Sequence, residues 1–393
     1  MLVCLGANAL FYPAGGHVWA YLNWALSLRE IGCEVMWLES AREHEGGGLE
    51  SAREHGAGGL ESAREHEGDG LELLIERLRA TLQPFGLAEA LVIDDPGAEH
   101  SGTRPLDGAR DADLFLDLAY LGGEVRAAFR RTALLDIDPG FTQLWWSQGD
   151  LNIDGYDTYF TIGRNIPGND SQVLRCGVDW HYVPPCVHLP SWPLQDPVTA
   201  DAPWTTVTHW QGEWQQLGEE DIDCSKRSAL LPLLNLPEST VAQLELAAGG
   251  LDEEEEEEDQ EDLALLRSHG WRTRSADLVA GDPLAYRSYI QGSRGEFSVA
   301  KALYVRVRAG WLSDRTVCYL ATGRPAIVQD TGIASAFENA GLGFFDGSGE
   351  AAELLNAFEH DYDRHRLAAR RLAEEWFDGT RLAAGVLERA LAR

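Results

Sequence analysis

Apolar residues along this chain fall into short unbroken runs that alternate with longer, helix-spaced segments. Residues 2–7 (LVCLGA) form the first run, followed by the loop NALFYPAGG and a helical segment from His17 to about Ile31. A second run, CEVMWLE, comes next. The helical segment has apolar residues at 18, 21, 22, 25 and 28, with Trp19 and Leu26 outside that face, so the helix is expected to be largely buried. A strand, a glycine-rich turn, a helix and a strand in that order imply a parallel sheet. The same alternation of helix and strand continues through the helical ELLIERLRATLQPFG, then LVID, DADLFLDLAYL and TALLDIDPG, and the strand YDTYFTIG. Asp136-Ile137-Asp138-Pro139 falls at a strand end, where ligand loops of α/β folds sit.

Between Cys176 and Pro203 the composition turns to proline and tryptophan, which predicts an interdomain linker without regular elements. The strand WTTVTHW then opens a second domain. A helix over 225–236, a strand VAQLELAAG and helices in DLALLRSHGW and DPLAYRSYIQ follow. Two tracts break the pattern. LESAREHEGGG, LESAREHGAGG and LESAREHEGDG repeat with a period of eleven from Leu38, so residues 39–70 read as a tandem expansion in a surface loop. Ten of the eleven residues 252–262 are acidic, which predicts a solvated loop.

The stretch 292–332 (GSRGEFSVAKALYVRVRAGWLSDRTVCYLATGRPAIVQDTG) reads as a strand-like run, a turn, a short helix opened by Ser313 and closed by Gly323, and a strand beginning at Pro325. Its charge separates it from the rest. Between 294 and 324, Arg294, Lys301, Arg306, Arg308, Arg315 and Arg324 face only Glu296 and Asp314, in a chain of formal charge −32. A local reversal of that kind, beside a helix start whose N–H groups are unpaired, predicts an anion site.

Gly310-Trp311-Leu312-Ser313, followed by Ala321, Gly323 and Pro325, resembles the donor signature of the family 1 glycosyltransferases, His-x-Gly-Trp-x-Ser, a helix, then Ala-x-Gly-x-Pro. Gly16-His17, the helix, and the closing Leu28 to Val35 segment are similar to that family's first βα unit. The resemblance implies an α/β chain of GT-B type, two Rossmann-like parallel-sheet domains facing across a cleft. The first would cover residues 1–195 with the C-terminal helix 378–393 crossing back onto it, and the second residues 196–377. It implies sugar transfer from a nucleotide-diphosphate sugar to an unidentified acceptor, without a metal or a further cofactor. A nucleotide-sugar epimerase of the same fold and a non-catalytic binder are the competing readings.

By the same resemblance His17 is the general base, oriented by Asp113 or Asp117. Gly16, Arg294, Glu296, Lys301, Arg308, Gly310, Trp311, Ser313, Asp314, Arg315, Asp330 and Thr331 are the donor-binding candidates. Two positions depart from the family: Arg308 stands where it has the diphosphate-binding His, and Thr316 where it has the ribose-binding Glu.

The 64 acidic residues against 32 basic ones, only two of them lysine, argue against a nucleic-acid partner. Such a surface fits a salt-rich cytoplasm. Stability is therefore expected to rise between low salt and molar KCl, and a melting temperature that does not move would refute that adaptation. Six scattered cysteines without metal spacing read as reduced thiols, and no stretch reads as a signal peptide or membrane span.

Overall fold

The computed structural model describes residues 1–42, 69–168, 175–251, 257–337 and 340–392. The eleven-residue repeat lies almost wholly outside them. The first domain is built on seven parallel strands, β1 (Leu2–Gly6), β2 (Glu34–Ser40), β3 (Leu91–Asp94), β4 (Leu114–Asp117), β5 (Thr132–Asp136), β6 (Thr158–Thr161) and β7 (Trp180–Tyr182). Their order is β3-β2-β1-β4-β5-β6-β7. Leu5 pairs with Trp37 on one side and Leu116 on the other, so β1 is central. The chain builds outward from β1 to β3 and then returns to β4, and the loops after β1 and β4 therefore flank a switch point, where open α/β sheets bind ligands. Helices α1 (Gly15–Glu30), α2 (Asp69–Leu82) and α3 (Phe141–Gln148) belong to this domain.

The second sheet comprises β8 (Trp204–His209), β11 (Leu244–Gly249), β12 (Arg272–Ser275), β13 (Gly295–Ser298), β14 (Ala326–Gln329) and β15 (Leu342–Phe345). Its order, β12-β11-β8-β13-β14-β15, puts its own switch point between β8 and β13. An antiparallel hairpin, β9 (Trp214–Leu217) with β10 (Glu220–Asp223), stands apart from it. The main helices here are α4 (Glu257–Ser268), α5 (Pro283–Gly292), α6 (Ala302–Arg306), α7 (Asp314–Ala321), α8 (Ser348–His360) and α9 (Tyr362–Trp376). The last helix, α10 (Gly379–Leu391), packs on α1 of the first domain so closely that a Cβ at Gly379 would come within 2.1 Å of Ser27 Oγ. Among the described residues no helix is long and apolar enough to cross a membrane.

Four expectations change. The proline-rich segment holds a regular element, since Trp180–Tyr182 pairs with β6 as the edge strand β7. The helix expected over 225–236 stops at Leu230, ahead of Pro232, which cannot supply an N–H to continue it, and gives way to 3₁₀ turns. The strand-like run before Ser313 divides into β13 and the short helix α6. The acidic tract is helical from Glu257, with Asp259 and Asp262 buried. Asp262 accepts Trp210 Nε1 at 2.9 Å and both Nε and Nη2 of Arg227, at 2.6 and 3.0 Å. Composition marked those acids as solvated, but their spacing of three turns them to the inner face of the helix, where a guanidinium neutralises one of them.

The two domains share apolar packing. Trp19 of α1 lies 4.7 Å from Trp192, centroid to centroid, and its Nε1 donates to Pro283 O at the start of α5. A Cβ at Gly15 would come within 2.3 Å of Asp282 O, and one at Gly16 within 2.9 Å of the Tyr286 ring. The Gly-Gly turn thus lets α1 abut the second domain. The side of Gly16 where a Cβ would stand faces the Tyr286 ring. On the other side of the junction Phe141 and Leu144 of α3 pack with Leu303, Tyr304 and Val307 in a small cluster of their own.

Candidate functional site

Between these two contact regions the ends of β1 and β5 meet the start of α7. His17 stands in the first turn of α1, and its Nε2–H donates to the carbonyl of Asn8 at 2.7 Å. A carbonyl can only accept, so Nε2 carries the proton and Nδ1 is left as the basic nitrogen. Burial lowers the pKa of His17, against the Asn8 contact and the charge of Asp138, which raise it. The ring is neutral at pH 7 and able to take up a proton.

The Asn8 loop is shaped by Glu39. This fully buried carboxylate, at the C-terminal end of β2, accepts Ala9 N at 3.0 Å, Leu10 N at 3.2 Å and Trp37 Nε1 at 2.6 Å. Asp113, the expected partner of His17, instead accepts Leu2 N at 2.8 Å. It lies just ahead of β4, at the opposite end of the sheet from His17, and cannot orient the ring. Asp117 is spent on Ala119 N, Gly122 N and Tyr156 OH. The role expected of a carboxylate is filled by the Asn8 carbonyl.

Asp138 lies just past β5, where its charge acts on both His17 and Asp314. Tyr304 of the second domain donates to its Oδ1 at 2.6 Å, and Tyr304 stacks on Trp311 with centroids 4.3 Å apart and planes 8° apart. Its neighbour Asp136 is fully buried and accepts Thr142 Oγ1, Gln143 Nε2 and Thr161 Oγ1 at 2.7–2.9 Å. Burial nevertheless raises its pKa.

Across the junction, Gly310 (φ 70°) and Arg308 (φ 51°) take left-handed backbone conformations in the turn before α7. Asn165 Nδ2 donates to Arg308 O at 2.9 Å and Gly332 O at 3.0 Å. A Cβ on Gly310 would meet Asn165 at 2.9 Å, so only glycine allows the two domains to close here. The exposed Arg308 guanidinium has no ion-pair partner among the described residues. Ser313 caps α7 by accepting Arg315 N at 3.2 Å, and Asp314 in its first turn is pushed up to about 7 by burial and then by Asp138.

The positive charge of the 294–324 stretch is largely used internally. Arg294 pairs with Glu359 at 2.7 Å, Arg306 with Glu220 at 2.9 Å, and Arg324 donates to the carbonyls of Gln291 and Asp196. Arg294 is thereby removed from the donor candidates. Glu296, fully buried, holds Arg315 Nε at 2.7 Å, so it orients a cation instead of a ligand. Asp330 accepts Gly332, Ile333 and Ala334 N–H at 2.9–3.0 Å as a turn cap, and Thr331 donates to Trp311 O.

Apart from the exposed Arg308, the remaining cations lie beside the Arg315–Glu296 pair. Lys226 and Lys301, the chain's only lysines, gather with Arg315 at the second switch point. Lys226 is buried, donates to Val299 O and has no carboxylate partner among the described residues. Burial, with Arg315 and Lys301 behind it, lowers its pKa well below the ordinary value. Lys301 Nζ sits 5.0 Å from the Phe141 ring of the first domain. Nothing local in the sequence marked Lys226, which lies 75 residues from Lys301. The rarity of lysine was the one available signal.

The fold has counterparts among solved structures. An alpha-glucosyltransferase in complex with UDP superposes over 100% of both chains with a TM-score of 0.56 at 9% identity. AviGT4, a glycosyltransferase involved in avilamycin A biosynthesis, covers 99% of this chain and 97% of its own (TM-score 0.54, 13% identity). The fold is GT-B. HepE from Anabaena, in complex with UDP and glucose, aligns over 100% of this chain and 99% of its own, with a TM-score of 0.52 and 10% identity. No protein-family model and no curated protein matches the sequence. In a GT-B frame the His17 and Asp138 side of the junction belongs to the first domain, and Ser313 with the three cations belongs to the second.

Proposed function

We propose that the protein is a glycosyltransferase that moves a sugar from a nucleotide-diphosphate sugar to a second molecule. The observation that carries this is the gathering of Lys226, Lys301 and Arg315 beside the Ser313 helix start, with one buried lysine that donates to a backbone carbonyl and makes no ion pair with a carboxylate among the described residues. Burial and the neighbouring cations disfavour the charged form of Lys226, and a diphosphate bound beside it would favour that form again. In this reading Arg308 reaches the same diphosphate from the turn and His17 Nδ1 receives the acceptor's proton. The acceptor comes from the first-domain side.

The UDP described in complex with the alpha-glucosyltransferase and with HepE makes UDP the first probe. UDP, GDP, ADP and TDP are compared by thermal shift, because a ligand that binds only the native state raises the melting temperature. Lys226→Met and Arg308→Ala are expected to weaken binding of the preferred nucleotide at least tenfold by calorimetry, a charge-assisted contact being worth about 1.5–3 kcal/mol. Unchanged affinity in both variants refutes this diphosphate site. Conversion of the donor sugar to an epimer, with nothing transferred, makes the enzyme an epimerase instead.

A further inference from the structure

Asp138 is held from both domains. Tyr120 adopts a left-handed φ of 57°, a conformation a bulky residue holds only when its surroundings impose it. Its hydroxyl accepts Ile137 N at 3.0 Å and Asp138 N at 3.1 Å while donating to Asp136 Oδ1 at 3.1 Å. The loop carrying Asp138 is thus braced from beneath by Tyr120 and the buried Asp136. From the second domain, Tyr304 fixes Oδ1. Tyr304 is itself wedged between Trp311 and the edge-on ring of Phe141, 5.0 Å away. Oδ2 has no hydrogen bond from the described residues. The result is a carboxylate with one oxygen clamped and one available. It is close enough to His17, Tyr21 and Asp314 for its charge to act on all three.

An anion held here is poorly placed to bind a nucleotide diphosphate, which it would repel. It is well placed for what develops next to the diphosphate: when the sugar's bond to phosphate breaks, positive charge grows on the anomeric carbon and ring oxygen. We propose that Asp138 is a catalytic residue of the transfer, its free oxygen facing the departing sugar and stabilising that charge. This rests on the glycosyltransferase reading. The bond between the anomeric carbon and the phosphate oxygen breaks with its electron pair going to the phosphate. The acceptor oxygen supplies the pair of the new bond, and its proton passes to His17 Nδ1. Asp138 forms no covalent bond.

The test uses the full chain with UDP-glucose, GDP-mannose, ADP-glucose and TDP-glucose, and measures release of the nucleoside diphosphate with water or added sugar as acceptor. Asp138→Asn is expected to cut release at least 10²-fold while UDP or its preferred analogue binds as tightly as before. The pH limb set by His17 should move to lower pH, because the carboxylate that raises its pKa is gone. Tyr304→Phe, which leaves the carboxylate but frees Oδ1, should cost about tenfold, and it carries the test if Asp138→Asn does not fold. A folded Asp138→Asn protein that releases nucleotide at the wild-type rate, or one that loses nucleotide affinity in the same proportion, overturns the assignment. Nucleotide binding without consumption of any of the four sugars overturns it too. A wild-type chain that neither binds nor consumes any of them overturns the transferase reading itself.

Discussion

His17→Ala is expected to slow sugar transfer by about 10²–10⁴ while leaving nucleotide affinity unchanged. The prediction follows from which nitrogen is occupied. Nε2 is committed to the Asn8 carbonyl, so the ring can gain a proton only at Nδ1. Burial disfavours the imidazolium and places the His17 pKa below its ordinary 6.5. A base works in its deprotonated form, so kcat should rise with pH through that lowered pKa, with this limb missing in the alanine variant. His17→Gln, which cannot accept a proton in this range, should behave like alanine. A variant that folds, binds nucleotide and turns over at the wild-type rate excludes His17 as the base.

The parts of this site that were legible beforehand are those set by local sequence. The run LVCLGA, the turn and the helix from His17 give a βα unit from spacing alone, and Ser313 reads as a cap because a serine precedes a helical run. Both occupy those roles in the fold. Partnerships that depend on distant chain segments left no periodic trace. Tyr304 and Asp138 are 166 residues apart, and Arg315 meets Glu296 only because α7 packs against β13 in the folded domain. Charge counting over the 294–324 stretch therefore overstated the free cations, since Arg294, Arg306 and Arg324 answer to Glu359, Glu220 and backbone carbonyls from elsewhere. It also missed Lys226, whose neighbours in sequence say nothing of its burial. The same limit explains Asp113: composition marks it as an acid near the right strand, but only the strand's direction shows that it lies at the wrong end.

The second large effect concerns Glu39 and stability. Burial drives its pKa from 4.5 up to about 7, although the donors Trp37 Nε1, Ala9 N and Leu10 N pull the other way. A carboxylate whose folded pKa is raised binds its proton more tightly in the native state than in the unfolded one. Its contribution is unchanged below about pH 4.5, is lost progressively as pH climbs from there to 7, and is constant above. A shift of this size corresponds to roughly 3 kcal/mol of stability lost over that window. Urea unfolding at pH 5 and pH 8 should show this fall in the wild type beyond whatever the rest of the chain contributes, and Glu39→Gln should remove that increment. Glutamine cannot ionise, though its amide would face Leu10 N or Ala9 N and lower stability by a similar amount at both pH values, so the comparison lies in the slope and not in the absolute value. The opposite slope, with the wild type gaining stability relative to the variant as pH rises, would mean that the three donors outweigh desolvation and that Glu39 is a pre-ionised anchor. Either sign bears on catalysis, because the loop held by Glu39 presents the Asn8 carbonyl. If protonation of Glu39 loosens that loop, His17 loses its fixed Nε2 partner, and kcat should fall below pH 7 more steeply than a single titrating histidine allows.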